Sequence, residues 1–587
     1  MPYALALRRG AICLPWLLLA AAGAAQADPP EVGSRGAVVA DPVIPPPAGT
    51  PCVVQLYSDE VFNDFSLHDF TYAPPPNCPG PYAKIVLQAD FSVTTGRQFD
   101  RTANIWIGSV NLYFGTTQEP SAAVAPSWRI ERDISDYASL LATASSGKID
   151  LGNVVNDTYT GIIHGSGQIL FYPAAANWPA PPRRPDLVLP LSSGTLGGAT
   201  DIRGDGEFSK TLTLPRNSER IFLDVIAQSQ GDDEFWITCV PDDLGEQLQS
   251  CGHTAFRETQ VRIDGEPAGV APVYPWLYTG AIDPGVWRPI PGVQTLAFEP
   301  WRVDLTPFAA KLNDGQLHTI ALSVFNAGER FSMAANLLVY RDAGKAIVGG
   351  ALTENTLAQN PTPHVSSTVS GPDDNIVASV TVTSDRQHVL SGYVDTSRGR
   401  VTTTITQRVE FENAQAFVVS EPLYSQKIDQ STRVSTETRI AAGGRTQALN
   451  DERVLLLEVA YRYEALNVGA KQVTSAKQRF GRTVQAGTVG FPLRQAELAN
   501  SIDNAGELLF AADGSLAART SQRGMQDYAY KDPFGACYHR VLRAEAGAIS
   551  AVANGGGCPG EENRLPWFDA FDNYASSIFG ATIQLLP

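Results

Sequence analysis

Histidine and methionine are scarce in this chain, whose 587 residues include 7 His and 3 Met. The histidines are scattered and no Cys-x-x-Cys pair occurs, so the sequence offers little basis for a zinc site. It also lacks a Gly-x-Ser-x-Gly elbow, a P-loop, a dinucleotide-binding fingerprint, a zincin helix and an EF-hand loop. We therefore expect no metal and no cofactor, and a hydrolase of this sequence would depend on side-chain carboxylates.

Basic residues are outnumbered by acidic ones. The chain has 44 Lys and Arg residues and 61 Asp and Glu residues, which gives a net charge of −17. A chain this acidic repels phosphate backbones and anionic lipids, so we expect neither nucleic acid nor a membrane as partner. Long apolar runs are also rare. The run Ile12–Ala22 follows Arg8 and Arg9 and precedes Ala25-Gln26-Ala27, which is the pattern of a secretory signal peptide. It falls short of the ~20 residues that span a bilayer, so residues 1–27 are predicted to be a signal peptide and the protein to be exported, periplasmic or secreted.

Cysteine is sparse as well, with 7 in the chain, and Cys13 lies in the predicted signal peptide. Six remain, and an even number in an exported protein indicates disulfides. Many connectivities are open, and the sequence does not decide among them. Pairing between nearest neighbours would give 52–78, 239–251 and 537–558.

Glycine (51) and proline (41) are abundant, and they separate short alternating apolar runs such as 83–93, 104–114 and 220–227. This pattern predicts an all-β protein built of antiparallel sandwiches or jelly rolls. The stretch Asp136–Thr143 is predicted to be a short helix or turn. Polar breaks at 173–190 and 349–373 suggest three units. The predicted organisation is a flexible, exposed lead-in at 28–50, followed by β domains at 51–185, 186–348 and 349–587.

One carboxylate is set between two arginines at the entrance of a predicted strand. In Gly96–Gly108, Asp100 lies near Arg97 and Arg101 and directly precedes an alternating run. Such a group is either a structural ion pair or a group positioned for chemistry. An arginine within ~4–6 Å would lower the pKa of the carboxylate and keep it ionised in acid.

Several segments, in chain order, resemble the peptide-N-glycosidase A family, amidases that remove N-linked glycans from asparagine. They are 78–87, 96–108, 119–120, 151–161, 233–236, 256–258, 278–290 and 537–540. The resemblance implies hydrolysis of the bond between asparagine and the innermost N-acetylglucosamine of N-glycopeptides or N-glycoproteins, with release of the intact glycan and formation of aspartate. It also implies acceptance of core α1,3-fucosylated glycans.

A fainter similarity extends to peptide-N-glycosidase F, and it implies two packed jelly-roll domains followed here by a C-terminal β-rich domain. The catalytic aspartate of that enzyme matches Asp100, and its second acid matches Asp157 in an acid-Thr-aromatic step. Its catalytic glutamate precedes a Phe-Arg pair, where this chain has His253. We therefore expect Glu258, or else Glu234, to be the general acid/base, with Glu258 favoured.

The predicted substrate-binding residues are the cations and aromatic residues of the same segments: Arg97, Arg101, Tyr159, Trp236, Arg257, Trp276, Trp287 and Arg288. Simpler interpretations remain open, because Asp157 also suits a turn, Glu234 a solvated acidic loop, and each Trp the core. Two other functions also remain open. They are a glycan-binding β-sandwich without turnover and an endo-acting glycoside hydrolase with a carboxylate pair.

Overall fold

The computed structural model describes residues 30–178, 180, 183–491 and 493–567, so the predicted signal peptide lies outside the described residues. Within them the chain is almost entirely antiparallel β-structure, arranged in five sheets. The all-β prediction is confirmed. The one α-helix described, α1, is Ala309–Leu312, and the remaining helical turns are 3₁₀ helices at Ser135–Tyr137, Leu140–Ala142, Gly231–Asp233, Trp236–Thr238, Asp242–Leu244, Pro284–Trp287, Thr306–Phe308 and Pro559–Glu561.

The first unit is a sandwich of two four-stranded sheets. Its strands are β1 Cys52–Phe62, β2 His68–Tyr72, β3 Tyr82–Val93, β4 Thr102–Ile107, β5 Val110–Thr116, β6 Ser127–Asp133, β7 Ser145–Asp150 and β8 Ile163–Pro173. The sheet orders are β1-β8-β3-β6 and β2-β7-β4-β5. Most consecutive strands thus switch sheets, as in a jelly roll. Alternate side chains such as Phe62, Ile85 and Ile105 fill the space between the sheets and are fully buried.

The second unit repeats this order with its first strand in two pieces. Its strands are β9 Leu187–Pro190, β10 Thr200–Ile202, β11 Phe208–Leu212, β12 Ser218–Gln230, β13 Glu258–Ile263, β14 Glu266–Pro272, β15 Trp301–Asp304, β16 His318–Phe325 and β17 Arg330–Arg341. One sheet has the order β10-β17-β12-β15, with β9 also pairing with β17, and the other has the order β11-β16-β13-β14.

The first two units pack side by side through aromatic residues. Trp106 and Phe114 of the first unit form a buried cluster with Trp276 and Phe298 of the second. The Trp276 and Phe298 ring centroids are 4.2 Å apart, and those of Phe114 and Phe298 are 5.5 Å apart. Burying four large aromatic side chains removes apolar surface from water and fixes the relative position of the two units.

The third unit is an eleven-stranded antiparallel sheet, here called the C-terminal sheet. Its strands are β18 Gly349–Asn355, β19 His364–Ser370, β20 Asn375–Thr396, β21 Gly399–Ser420, β22 Leu423–Ala442, β23 Arg445–Ala465, β24 Ala470–Thr488, β25 Arg494–Phe510, β26 Leu516–Lys531, β27 Cys537–Glu545 and β28 Ala548–Asn554. β20 through β28 pair in sequence order, β18 pairs with β20, and β19 also pairs with β20. Alternate residues such as Val382, Leu390 and Ile405 are buried, and they join the same core cluster as the second unit.

Two expectations about connecting segments are wrong. The stretch 349–373, predicted to be a polar break, contains β18 and β19, because β20 is long enough for both short strands to pair along it. The lead-in at 28–50, predicted to be exposed, is packed at residues 38–41. Ala40 is fully buried and its amide donates to Gln526 Oε1 at 2.6 Å, so this segment fastens onto the C-terminal sheet.

Three disulfides join Cys52 to Cys78, Cys239 to Cys251 and Cys537 to Cys558. The nearest-neighbour pairing is therefore confirmed. The predicted helix or turn at Asp136–Thr143 corresponds to the two 3₁₀ helices at Ser135–Tyr137 and Leu140–Ala142. Within the described ranges, no helix has the length and apolar character needed to cross a membrane.

Candidate active site

Asp100 lies where the first unit meets a long loop of the second. It ends the connection from β3 to β4, and its neighbour Arg101 is fixed to Thr117 by two hydrogen bonds of 2.8 Å that run in opposite directions. Gly280, on the loop between β14 and β15, donates its amide to Asp100 Oδ2 at 2.9 Å. A backbone donor from the second unit thus holds a carboxylate of the first.

The expectation that nearby arginines hold the pKa of Asp100 low is wrong, although the Arg101 charge does act in that direction. Burial raises the pKa, and it outweighs the opposing effects of the Gly280 hydrogen bond and the Arg101 charge. The Arg101 guanidinium is engaged elsewhere, since its Nε donates to Asn153 Oδ1 at 3.2 Å and its Cζ lies 5.7 Å from the Phe99 ring centroid. Although Arg101 is next to Asp100 in the sequence, the two side chains do not form a close ion pair.

Glu119 is the second carboxyl group here, and it was absent from the predicted site. A Cβ added to Gly280 would lie 2.7 Å from Glu119 Oε2 and 2.8 Å from Asp100 Oδ1, so both carboxyl groups border the same small space. The Glu119 amide donates to Thr279 Oγ1 at 2.7 Å. Burial first, and the Asp100 charge second, raise the pKa of Glu119 to about 7.

Arg288 holds the other side of Glu119. Its Nε donates to the Glu119 carbonyl oxygen at 2.8 Å, and its Nη2 lies 3.6 Å from Glu119 Oε1. The Arg288 charge lowers the pKa of Glu119 and partly offsets the effect of burial. Arg288, predicted to bind substrate, lies at this place and contacts Glu119, a carboxylate that the sequence analysis did not include.

Glu234 is the third carboxyl group, on the loop that follows β12. Burial raises its pKa to about 7, and the Asp100 charge adds to the increase. Asp100 and Glu234 also both act on the buried Tyr278 hydroxyl, which donates to the Ser229 carbonyl oxygen at 2.8 Å. Asp100 therefore acts on a carboxyl group from each of two other loops at the junction of the two units.

An aromatic and cationic wall borders Asp100. The Phe99 and Tyr159 ring centroids are 4.7 Å apart, and the Arg97 Cζ lies 5.5 and 5.2 Å from those centroids, respectively. Asp157 lies on the same turn as Tyr159 and is exposed. The Asn156 side chain accepts from the Thr158 and Tyr159 amides at 2.8 and 2.9 Å, which accounts for the turn.

Glu258 is placed differently from the three grouped carboxyl groups. Its side chain is 2% exposed and pairs with Arg386 on β20, between the second unit and the C-terminal sheet. Burial raises the pKa of Glu258, while Arg386 opposes that shift. The charges that act on it do not include Asp100 or Glu119.

Arg257 supports the loop that carries Glu234. Its Nε and Nη2 donate to Asp233 Oδ1 at 3.0 and 2.9 Å, and both side chains are 1% exposed. Asp233 also accepts from the Gly328 and Arg330 amides at about 3.0 Å. This buried pair fixes the residue next to Glu234 and leaves Arg257 facing protein groups.

The three predicted tryptophans are core residues. Trp236 lies 6.3 Å from the Phe411 ring of the C-terminal sheet. Trp276 lies in the aromatic cluster between the first two units. Trp287 is fully buried, and its Nε1 donates to the Ala281 carbonyl oxygen at 2.8 Å.

A separate cavity of about 500 Å³ lies mainly between the second unit and the C-terminal sheet, and Arg132, Asp133 and Tyr137 of the first unit also line it. Its lining includes charged groups paired with one another, such as Asp451 with Arg453 and Arg482 at 2.9 Å each. Asp100, Glu119 and Glu234 do not line it. We therefore take the carboxyl cluster as the candidate site and the cavity as part of an interface between units. In the described part of the chain, no group of His, Cys, Asp and Glu has the arrangement needed to hold a metal ion.

Comparison with known proteins was made on sequence and on structure. A family model described as "Peptide N-acetyl-beta-D-glucosaminyl asparaginase amidase A" matches residues 43–343. The peptide-N4-(N-acetyl-beta-glucosaminyl)asparagine amidase A of Prunus dulcis is 30% identical over 363 residues, which cover 58% of this chain and 62% of that protein. The chain thus matches less than two thirds of the length of this relative.

Two solved structures are similar at a low level. PNGase F, a glycosylasparaginase from Flavobacterium meningosepticum, has a TM-score of 0.33 and 14% identity, covering 50% of this chain and 96% of that one. PNGF-II has a TM-score of 0.34 and 13% identity, covering 50% and 65%, respectively.

Proposed function

Since the chain belongs to the peptide N-acetyl-beta-D-glucosaminyl asparaginase amidase A family, we propose that it is a peptide-N-glycosidase. It hydrolyses the amide bond between asparagine and the innermost N-acetylglucosamine of N-glycopeptides or N-glycoproteins. The intact glycan leaves as a glycosylamine and the asparagine becomes aspartate. The observation that carries the proposal is the grouping of Asp100, Glu119 and Glu234 at the junction of the first two units.

Amide hydrolysis needs an oriented water, a proton for the leaving nitrogen and a positive environment for the carbonyl oxygen. We assign the water to Asp100, because Gly280 fixes one of its oxygens and leaves the other near Glu119. The carboxylate accepts a proton as the water oxygen bonds to the amide carbon.

Glu234 is our choice for the proton donor. The influences that raise its pKa to about 7 are burial and the Asp100 charge, whereas the Arg288 and Arg97 charges favour the ionised form of Glu119. The pKa of Glu119 is also about 7, but its Oε1 lies 3.6 Å from the Arg288 Nη2. We therefore assign to Glu234 the proton that passes to the leaving nitrogen as the carbon–nitrogen bond breaks. This moves the acid/base role from Glu258, which pairs with Arg386, to the competing glutamate.

The Arg97, Phe99 and Tyr159 wall is our proposed contact for the glycan or the peptide, because aromatic faces and guanidinium groups suit stacking and hydrogen bonding. Asp157, exposed on the same turn, stays a prediction as a second acid that supports the site or as a contact for the first sugar. Arg288 acts through Glu119, and Arg257 acts through Asp233.

We also propose that the protein is exported to the periplasm or the medium. Three disulfides, one in each unit, are typical of an oxidising compartment. The acidic net charge of −17 disfavours nucleic acid and anionic membranes as partners.

Mass spectrometry of a purified N-glycopeptide, incubated with the protein in heavy-oxygen water at mildly acidic pH, tests the proposal. Complete loss of the glycan, with one heavy oxygen in the new aspartate, would support the amidase. A single sugar retained on asparagine would indicate an endoglycosidase, and an unchanged but bound glycopeptide would indicate a lectin-like module.

The Asp100→Asn variant is the matched test of the site. We expect at least a ~10²-fold loss of turnover with the fold intact. Asp90→Asn is the control, because Asp90 is a half-exposed residue that pairs with Arg129 on the surface of the same unit. Near-normal turnover by a folded Asp100→Asn variant would contradict the assignment.

A further inference from the structure

The loop of residues 278–290, here called the bridging loop, contacts the carboxyl cluster along one side. Gly280 donates to Asp100, and Thr279 Oγ1 accepts from the Glu119 amide while donating to the Thr117 carbonyl oxygen at 2.9 Å. Arg288 contacts both the backbone and the side chain of Glu119. This loop therefore contacts both Asp100, to which we assign the water, and Glu119, which borders the same space.

The opposite side of the bridging loop is fastened to the C-terminal sheet by an ion pair. Arg519 on β26 donates from Nη1 to Asp283 Oδ1 and Oδ2 at 2.6 and 2.8 Å. Asp283 is 1% exposed, and its Oδ1 also accepts from the Gly285 amide at 2.9 Å. One buried carboxylate thus shapes the loop internally and binds it to a strand 236 residues away.

Two amide side chains of the same sheet hold the loop backbone. Gln522 on β26 donates to the carbonyl oxygens of Gly285 and Arg288, the latter at 3.0 Å. Asn504 on β25 donates to the Ile290 carbonyl oxygen at 2.9 Å and is fully buried. The carbonyl of Arg288 itself is among those held, so the contact reaches the residue that binds Glu119.

The fit between strand and loop is close. A Cβ added to Gly285 would lie 1.8 Å from Arg519 Nη1, so the guanidinium packs directly against the loop backbone. A side chain packed in this way and paired with a buried carboxylate has little freedom to move, and rigid supporting groups are what hold catalytic geometry.

We propose that Arg519, Gln522 and Asn504 are positioning residues for the active site, and that the C-terminal sheet is therefore a working part of the catalytic assembly. This inference rests on the proposed amidase function. The three side chains touch no reacting group and act through the bridging loop on Asp100 and Glu119. Displacement of catalytic groups by ~1 Å can cost ~10²-fold in rate.

The test compares Arg519→Gln with Arg523→Gln in the full chain. Arg523 lies on the same strand, is 61% exposed and has a 3.7 Å pair with Asp503. With a purified N-glycopeptide as substrate, Arg519→Gln should lower kcat by at least ~10-fold with KM within about twofold, and Arg519→Lys should recover part of the loss. Arg523→Gln should match the wild type. Wild-type kcat in a folded Arg519→Gln variant would overturn the inference.

Hydrogen exchange gives a readout that does not depend on activity. In Arg519→Gln, the amides of residues 278–290 should exchange faster while those of β3 and β8 keep their protection. Uniformly faster exchange would show a general loss of stability and would overturn the positioning role. If Arg519→Gln does not fold, Gln522→Ala is measured in the same way, and it should lower kcat and loosen the same segment. An inactive wild type would instead refute the proposed function.

Discussion

At the residue scale, the main feature of the site is its three carboxyl groups, Asp100, Glu119 and Glu234. The Asp100 charge raises the pKa of both Glu119 and Glu234. The titration of each glutamate therefore depends on whether Asp100 is ionised. Both glutamates have a pKa of about 7 and therefore hold their protons in mildly acidic solution, beside Asp100, the proposed base. This combination supplies an acid and a base in one place, and we expect activity to decline as the pH rises through that value.

The two candidate glutamates should respond differently to loss of charge. Glu234→Gln should reduce turnover by ~10²-fold or more, because an amide does not supply the proton. Glu258→Gln should lower stability while a folded fraction keeps its turnover per molecule, because the change breaks a buried pair with Arg386. Steady-state kinetics and thermal unfolding of both variants provide the measurement. The reverse pattern would restore Glu258 to the acid/base role.

The raised pKa of Glu234 also predicts a pH-dependent stability. Its pKa is about 7 in the folded chain, and ~4.3 is usual in an unfolded one. The folded state therefore binds more protons between these values, and stability falls as the pH rises from ~4.5 to ~7. Relative to Glu234→Gln, the wild type should lose on the order of 2 kcal/mol across this window. Urea unfolding at several pH values measures the difference, and a difference that does not change with pH would contradict the assigned shift.

The sequence identified candidate residues best where they lie close together in the chain. The segment around Asp100 does lie at the candidate site, where Arg97, Arg101, Tyr159 and Arg288 are also found. Glu119 was missed, although the Glu119-Pro120 step belonged to the resemblance, because its partner Thr279 is 160 residues away. The pKa of Asp100 was misjudged because the sequence gives neither the depth of burial nor the direction of the Arg101 side chain.

The bridging loop is the critical element at the next scale, and Gly280 is its closest point to the carboxyl groups. Gly280→Ala should lower kcat by ~10-fold or more, because the new Cβ would lie 2.7 Å from Glu119 and 2.8 Å from Asp100. Gly481→Ala is the matched control, since its Cβ would meet only Val454, at 3.8 Å. Kinetics of both variants test this, and equal activity would show that the loop tolerates the methyl group.

The strands were predicted from the alternation of apolar and polar residues along the chain. Runs such as 83–93 became parts of strands because alternate side chains are buried. This alternation did not predict β18 and β19. Both strands are short and polar, and both pair along β20. The three Trp residues were equally ambiguous. In a loop-rich sequence, the residues around a Trp do not show whether its side chain lines a cleft or packs in a core.

At the scale of the whole molecule, the C-terminal sheet covers the second unit with matched polar groups. Asn413 and Gln415 donate to the carbonyl oxygens of Ile237 and Cys239 at 3.0 and 2.9 Å. Gln478 donates to the Pro275 carbonyl oxygen and accepts from the Val293 amide, both at 2.9 Å. The sequence predicted a C-terminal β-rich region but not these individual contacts, since they join residues 176 or more positions apart.

A chain ending at residue 348 should therefore be insoluble. Truncation would leave Glu258 without Arg386 and expose the apolar side chains of Trp236 and Phe256 that now pack against Phe411. Unpaired buried charge and newly exposed apolar surface both favour aggregation. The soluble fraction and activity of the truncated chain are the measurement, and a soluble, active fragment would show that the C-terminal sheet is dispensable.

Each of the three disulfides joins cysteines close in the chain, with separations of 26, 12 and 21 residues. Short rings close at a lower entropic cost than long ones, so correct neighbours meet more readily than distant ones. During synthesis from the N-terminus, both cysteines of one pair emerge before the first cysteine of the next. Oxidation can therefore proceed in chain order, with the disulfides of the first two units completed before the C-terminal sheet has formed.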